Sequence, residues 1–89
     1  MINRFVAMCE IAEHYGVEHQ TNKAIEELSE LTRALARGDR DNFIEELADV
    51  DIMLTQLCYL HKIYPKDIIR VENRKLERQL KRIKEEGNE

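Results

Sequence analysis

The sequence predicts an all-α protein, and three observations support that fold class. Among 89 residues there is a single Pro and there are only three Gly, so few positions interrupt a helix. Leu, Ile, Ala, Glu, Lys and Arg dominate, and apart from the slightly weaker Ile they are good helix formers. Apolar residues recur every three or four positions, which is helical spacing. At this length we expect one domain, spanning residues 1–89.

Two helices are predicted before Gly38. The first covers residues 3–15 and stops at Gly16, a residue type suited to a helix C-terminus. The second begins near residue 18, or at Thr21 if the hydroxyl of that residue caps it, and ends at residue 37. Its apolar stripe consists of Ile25, Leu28, Leu31, Thr32 and Leu35.

Two more helices are predicted after a turn at residues 38–41. The third is capped by Asp39 or Asp41 and runs to about residue 62. Apolar residues cover most of its circumference, so we expect it to be covered both by its own bundle and by another subunit. The fourth has Pro65 at its first position and spans residues 65–84, with residues 85–89 frayed. The expected architecture is a four-helix bundle with a central acidic antiparallel helical hairpin, completed by oligomerisation.

Charge and cysteine content narrow the function classes. The net charge is −4, and a short basic strip at residues 70–84 on an acidic chain is a weak nucleic-acid signal, so no nucleic-acid partner is expected. No apolar stretch is long enough to cross a bilayer, so no membrane partner is expected either. Cys9 and Cys58 form no C-x-x-C pattern and indicate buried thiols in a reducing compartment. Because the first residues also lack a signal-peptide core, we expect a cytoplasmic protein.

Two acidic pairs lie at equal distances from Gly38. Glu30 is eight residues before it and Glu46 eight after. Glu27 and Asp49 are eleven residues before and after. In a helical hairpin that turns at Gly38, the inner pair meets about 12 Å from the turn, at ~1.5 Å per residue, and the outer pair one turn further. Four carboxylates in one layer need a cation, and oxygen ligands suit Mg²⁺, or Mn²⁺ as a substitute.

These motifs also resemble those of a known family. The chain reads Glu-Glu-Leu-Ser-Glu at residues 26–30 and Glu-Glu-Leu-Ala-Asp at residues 45–49. This is similar to the E-E-x-x-E and E-E-x-x-D pair of the all-α nucleoside triphosphate pyrophosphohydrolase superfamily, specifically its MazG-like members. The resemblance covers residues 18–84. It implies a helical bundle in which the four carboxylates, Glu27, Glu30, Glu46 and Asp49, hold Mg²⁺.

The resemblance further implies a reaction and an assembly. The reaction is hydrolysis of a nucleoside triphosphate, NTP or dNTP, between the α and β phosphates, giving the monophosphate and pyrophosphate. One carboxylate should orient or deprotonate the attacking water. The resemblance favours Glu30 for that role, while from the residues alone Glu26, Glu27 and Glu46 compete with it. Small members of this type work as homodimers or homotetramers, so the same is expected here.

Substrate contacts are expected on two helices. Gln20 and Lys23 share the Glu27 face of the second helix, at i+7 and i+4 spacing. The resemblance implies that a glutamine at this position approaches the nucleotide. It also places basic and amide side chains of the last helix over the phosphates. The candidates there are Asn73, Lys75 and Arg78.

Other interpretations stay open at this point. The chain is alternatively a non-enzymatic helical dimer, a regulatory or interaction protein whose acidic face binds a basic partner. Carboxylate di-iron bundles use Glu-x-x-His, and Glu30 and Asp49 stand where those histidines would be, which argues against iron. The aromatic residues are scattered, and among them Phe5 and Tyr15 are the best candidates to approach a base. Asp51, within an apolar run, needs a partner such as Arg33 or a second subunit.

Overall fold

The computed structural model describes residues 1–87 and contains three helices. Helix α1 covers Arg4–Arg37, α2 covers Arg40–Leu60 and α3 covers Pro65–Gly87. No strand occurs in this described part of the chain, so the all-α prediction is confirmed. None of the described helices has the length and apolar character needed to cross a membrane. The prediction that residues 85–89 are frayed is wrong for residues 85–87, which belong to α3. Residues 88–89 lie outside the described part of the chain.

Helix α1 joins the first two predicted helices. Asn3 caps it, and the Asn3 side-chain oxygen accepts a hydrogen bond from the Val6 N–H at 3.0 Å. Gly16 has φ 82° and ψ 173°, which is far from helical geometry. The helix is therefore kinked at Gly16 and continues beyond it, so the predicted stop is a bend. Thr21 lies inside the continuing helix and is not a cap.

A two-residue connection folds α2 back against α1. Gly38 ends α1 in the left-handed region, with φ 73°, and the Gly38 N–H reaches the carbonyl of Ala34 at 3.3 Å. Asp39 then caps α2, because its carboxylate accepts hydrogen bonds from the N–H groups of Asp41 and Asn42 at 3.1 and 3.2 Å. Of the two predicted caps, Asp39 is the one used. Such a short connection produces the predicted antiparallel hairpin.

The contact between α1 and α2 is narrow and rich in small side chains. Its buried apolar residues are Ala12, Ala24, Ala34, Val50 and Met53. In the middle, the side-chain amides of Gln20 and Gln56 are almost completely buried and bond to each other at 2.6 Å. Near the N-terminus, the Tyr59 hydroxyl bonds to the Glu13 carboxylate, and its ring meets the edge of Phe5 at 6.4 Å. The hairpin is thus held by a few close contacts instead of a wide apolar core.

Helix α3 stands apart from this hairpin. Over the described residues, no Cα of α3 lies within 8 Å of a Cα in α1 or α2. Its apolar stripe, at Ile69, Leu76, Leu80 and Ile83, is more than half exposed at every position. One chain therefore does not form the predicted four-helix bundle.

The apolar stripe predicted for the second helix is also largely exposed to solvent. Ile25 and Leu35 are each about 60% exposed, because α1 turns its face with Ala24 and Ala34 towards α2. Apolar periodicity identifies faces that need to be covered, but it does not say whether the same chain covers them. The structure therefore leaves apolar surface on the hairpin as well as on α3.

Replacing Gly16 with Ala should destabilise the protein more than an ordinary glycine substitution. The backbone region of Gly16 is essentially restricted to glycine, and no heavy atom lies within 4 Å of an added Cβ, so the cost is backbone strain alone. We expect the free energy of unfolding to fall by about 1–3 kcal/mol, measured by urea denaturation at fixed protein concentration.

Gly38→Ala is the matched control for this change. Gly38 also has open space around its Cβ position, but its φ and ψ lie in the left-handed helical region that other residues enter at lower cost. If Gly16→Ala lowers the free energy of unfolding no more than Gly38→Ala does, the glycine-only backbone conformation at Gly16 would be contradicted.

Candidate metal centre

Three of the four predicted carboxylates meet across the hairpin. Oxygen atoms of Glu27, Glu46 and Asp49 all lie within 4.8 Å of one another. Glu27 and Glu46 are half-buried and Asp49 is exposed. Helix α1 contributes the first, and α2 contributes the other two from one face at i,i+3 spacing. The hairpin register about Gly38 therefore brings carboxylates of both motifs together, as their spacing predicts.

The fourth predicted ligand, Glu30, bonds to a neighbour on its own helix. Its carboxylate accepts a hydrogen bond from the Arg33 guanidinium at 2.5 Å, and both side chains are substantially exposed. Glu30 nevertheless lies close enough to Glu46 to act on the pKa of that residue. Arg33 neutralises Glu30, whereas no guanidinium in the described part of the chain pairs with the other three carboxylates. The role of Glu30 as metal ligand and base stays a prediction.

The electrostatics of the cluster favour uptake of positive charge. The pKa of Glu46 is raised, first because partial burial removes water from its carboxylate and then because of surrounding negative charges. Those charges, in decreasing effect, belong to Asp49, Glu30, Glu27 and Glu45. A proton and a cation relieve the same repulsion, so the site has a physical reason to bind either one.

Lys23 lies beside the cluster, on the Glu27 face that its spacing predicts. The Lys23 ammonium is 3.3 Å from Glu27 and 3.7 Å from Glu26. Its pKa is raised, chiefly by the hydrogen bond to Glu27. The Glu27 side chain is only 14% exposed, so the ammonium compensates a carboxylate that water solvates poorly. Lys23 is free on its outer side to meet an anion, and its substrate role stays a prediction.

Gln20 takes a different position from the one its spacing suggests. Its side chain is 3% exposed, and its amide nitrogen donates to Gln56. Its amide oxygen is 2.7 Å from His19 Nδ1. Gln20 therefore faces the helix interface, and both ends of its amide are occupied. Sequence reasoning missed this network, although Gln56 interrupts an apolar run and was the available signal.

The candidates on α3 lie away from the carboxylates of their own chain. Asn73, Lys75 and Arg78 are exposed, and no described Cα of α3 lies within 8 Å of a Cα in α1 or α2. Asp51 is exposed, and Arg33 pairs with Glu30 and not with Asp51, so of its two predicted partners only a residue of a second subunit stays a prediction. A binding role for the α3 residues at this cluster requires a second copy of the chain.

An open groove lies on another side of α2. It has a volume of ≈ 1020 Å³ and is bordered by the start of α1, the end of α2 and the start of α3. Its lining includes Phe5, Leu54, Tyr59 and Ile69 and contains none of the four predicted ligands. The groove is open and mostly apolar, and among the described residues its acidic side chains, Glu13, Asp51 and Glu72, do not converge as the three carboxylates of the cluster do.

An all-α hairpin with carboxylates from both helices fits the class of helical pyrophosphohydrolases that the motifs resemble. A family model described as phosphoribosyl-ATP pyrophosphohydrolase matches residues 9–75, most of the chain and both motifs. The chain belongs to this family, which is related to the MazG-like pyrophosphatases, and it is thereby a pyrophosphohydrolase, a hydrolase of acid anhydrides. That the chain is specifically a MazG-like member of the superfamily stays a prediction. Comparisons with curated proteins and with solved structures gave no significant match.

Proposed function

We propose that this protein is a Mg²⁺-dependent enzyme that cleaves nucleoside triphosphates between the α and β phosphates. The products are the nucleoside monophosphate and pyrophosphate. The observation that carries the proposal is the convergence of Glu27, Glu46 and Asp49 in a chain of the phosphoribosyl-ATP pyrophosphohydrolase family. Phosphoribosyl-ATP itself carries a triphosphate, so it belongs to the substrates considered. We place the reaction in the cytoplasm, since both cysteines are free thiols.

The donor set fits magnesium. All three converging groups are carboxylates, and no His or Cys belongs to the cluster. Hard oxygen donors suit Mg²⁺ and Mn²⁺, which bind through a few carboxylates together with substrate phosphates and water. When bound, the cation would neutralise phosphate charge and lower the pKa of a coordinated water. Two of the three donors are half-buried, which limits competition from bulk solvent.

The residues of this chain then have distinct tasks. Glu27, Glu46 and Asp49 would hold the cation, whose charge would offset that of the triphosphate. Glu30, once turned away from Arg33, accepts the proton of the water whose oxygen bonds to the α phosphorus. The bond from that phosphorus to the bridging oxygen breaks, and pyrophosphate leaves with the electron pair. Lys23 is placed to donate to a phosphate oxygen from the rim of the cluster.

The test of this function is a product assay with phosphoribosyl-ATP and the common NTPs and dNTPs, with and without Mg²⁺. Monophosphate plus pyrophosphate, only with the cation, supports the proposal, and the ranking names the substrate. Orthophosphate release would assign cleavage to a different bond. No product from any substrate, with folded protein, would favour the alternative of a non-enzymatic helical dimer.

We also propose that the protein acts as a homodimer or homotetramer. The apolar stripe of α3 and the exposed apolar residues of the hairpin each need a cover that one chain does not supply. Their charges are complementary, because α3 is basic while the hairpin is acidic. In such an assembly α3 of one copy lies on the hairpin of another, and Asn73, Lys75 and Arg78 gain access to a carboxylate cluster.

Leu80→Glu should shift the assembly towards monomer. Leu80 is the most exposed residue of the α3 stripe, at 67%, and a buried unpaired charge there would oppose association. Analytical ultracentrifugation at micromolar concentration measures the change. Gln79→Glu, which adds the same charge beside the stripe, should leave the mass of the assembly unchanged. A monomeric wild-type protein would contradict the assembly.

A further inference from the structure

Two exposed rings are stacked beside the kink of α1. The rings of Tyr15 and His19 lie 4.5 Å apart with 17° between their planes. The edge of a third ring, His14, meets Tyr15 at 4.7 Å. Tyr15 is 51% exposed and His19 is exposed, so this ring pair offers a flat aromatic surface to solvent.

The imidazole of His19 is held in place from inside the protein. Its Nδ1 is 2.7 Å from the Gln20 amide oxygen, and Gln20 in turn donates to Gln56 on α2 at 2.6 Å. Because the Gln20 oxygen can only accept, Nδ1 is the nitrogen that carries the hydrogen, and Nε2 is left unconstrained. Gln20 and Gln56 are 3% and 2% exposed. A surface ring fixed by a buried chain of amides is better ordered than an ordinary exposed histidine.

The ring pair and the carboxylates lie along one side of α1. His19, Lys23 and Glu27 follow each other at i,i+4 spacing, so they form a row on the helix surface. The axial separation of the first and last is about 12 Å, at ~1.5 Å per residue. A ligand in this row would meet an aromatic surface, then an ammonium, then the carboxylate cluster. That order is the order of base, sugar with phosphate, and metal-bound phosphates in a nucleotide.

We propose that the Tyr15–His19 ring pair is the surface on which the heterocyclic base of the substrate stacks. This inference rests on the proposed function, since it assigns a further subsite to the same ligand. His19 is the binding residue: the base stacks on the face of the imidazole that Tyr15 leaves free, and Tyr15 supports the imidazole from its opposite face. Gln20 and Gln56 are positioning residues that act through His19. Stacking accepts any base, because every base has a π face, so we expect this subsite not to select one base.

The test uses a ligand that cannot be cleaved. The affinity of α,β-methylene-ATP is measured by calorimetry with Mg²⁺, and inorganic tripolyphosphate, which lacks a base, is the matched probe. His19→Ala should weaken the nucleotide analogue about tenfold, the effect of losing a stacking partner, and leave tripolyphosphate unchanged. Tyr15→Leu should weaken the analogue less, because it removes only the support of the imidazole, and should also leave tripolyphosphate unchanged. Tyr15→Phe should keep the affinity. Tyr64→Leu, which removes an exposed ring from the connection between α2 and α3, outside the row, should change neither probe.

Gln20→Leu separates positioning from direct contact. It should weaken the analogue in the wild-type background and have no further effect in the His19→Ala background, with tripolyphosphate again unaffected. Equal loss for both probes, or no loss for either, would overturn the base-stacking assignment. So would a wild-type protein that binds the analogue no better than tripolyphosphate. Tight analogue binding without hydrolysis of phosphoribosyl-ATP or of any NTP or dNTP would instead contradict the proposed function and leave the stacking surface supported.

Discussion

Glu46→Gln should reduce kcat/KM for triphosphate hydrolysis by roughly 10³-fold, comparable to losing a central electrostatic group of an active site. Glu46 lies within 4.8 Å of both other converging carboxylates and is acted on by the charges of its neighbours, so it is central to the cluster. The amide keeps the shape of the side chain and removes the negative charge that a cation needs. Steady-state kinetics with saturating Mg²⁺ measures the loss.

The same substitution should stabilise the cation-free protein at neutral pH. The pKa of Glu46 is raised in the folded state, so any stability linked to its proton is present below the unfolded pKa and is lost as the pH rises through the folded pKa. Above that range the charged Glu46 opposes folding, and Gln does not. The melting temperature of Glu46→Gln in chelator should therefore exceed that of wild type at neutral pH and approach it in acid.

The control for both measurements is Glu45→Gln. Glu45 is the exposed neighbour in the same motif and lies outside the converging set. The Glu45→Gln variant should keep most of the hydrolytic activity, and Mg²⁺ should raise its melting temperature as it does in wild type. Glu46→Gln should lose that Mg²⁺-dependent rise. A metal-dependent rise of wild-type size in Glu46→Gln would mean that the cation binds elsewhere.

Gln56→Leu should lower the free energy of unfolding by about 1–3 kcal/mol, the cost of leaving a buried amide without its partner. Gln56 is 2% exposed, and its oxygen is the acceptor for the Gln20 amide nitrogen at 2.6 Å. Leu has a similar volume, so loss of the hydrogen bond dominates. Urea denaturation at fixed protein concentration measures the change.

The double variant Gln20→Leu/Gln56→Leu distinguishes an unsatisfied amide from a packing defect. When both amides are replaced by apolar groups, no buried donor between the two helices lacks an acceptor, and most of the lost stability should return. Gln79→Leu, the same change at an exposed position of α3, should have little effect. Additive losses in the double variant would show that packing and not hydrogen bonding controls this site.

Local signals in the sequence predicted the hairpin and the carboxylate register. Gly38 ends one helix and Asp39 caps the next within two residues, and each role depends only on backbone conformation and a neighbouring N–H. Once the turn is placed, helical geometry determines which carboxylates face each other. This is why Glu27, Glu46 and Asp49 were found from spacing alone.

The remaining features depend on contacts between distant parts of the chain. Glu30 had two available partners, a cation and Arg33, and spacing cannot choose between them. Spacing places Gln20 on the Glu27 face as a substrate contact, and it cannot reveal the burial of Gln20, which depends on Gln56, thirty-six residues away. The sequence predicts Tyr15 as a candidate to approach a base but not its pairing with His19, because apolar periodicity does not mark a histidine and Gly16 interrupts the helix between the two rings.

The connection at residues 38–39 also limits how the length of this protein can change in evolution. Exposed turns usually accept insertions, because added residues extend into solvent. A residue added to either helix between Glu30 and Glu46 would rotate the rest of that helix by about 100° and carry its carboxylates off the shared face. Length changes in related chains should therefore fall at residues 61–64, where Lys62 with φ 56° already ends regular structure, and not within the helical segments between Glu30 and Glu46.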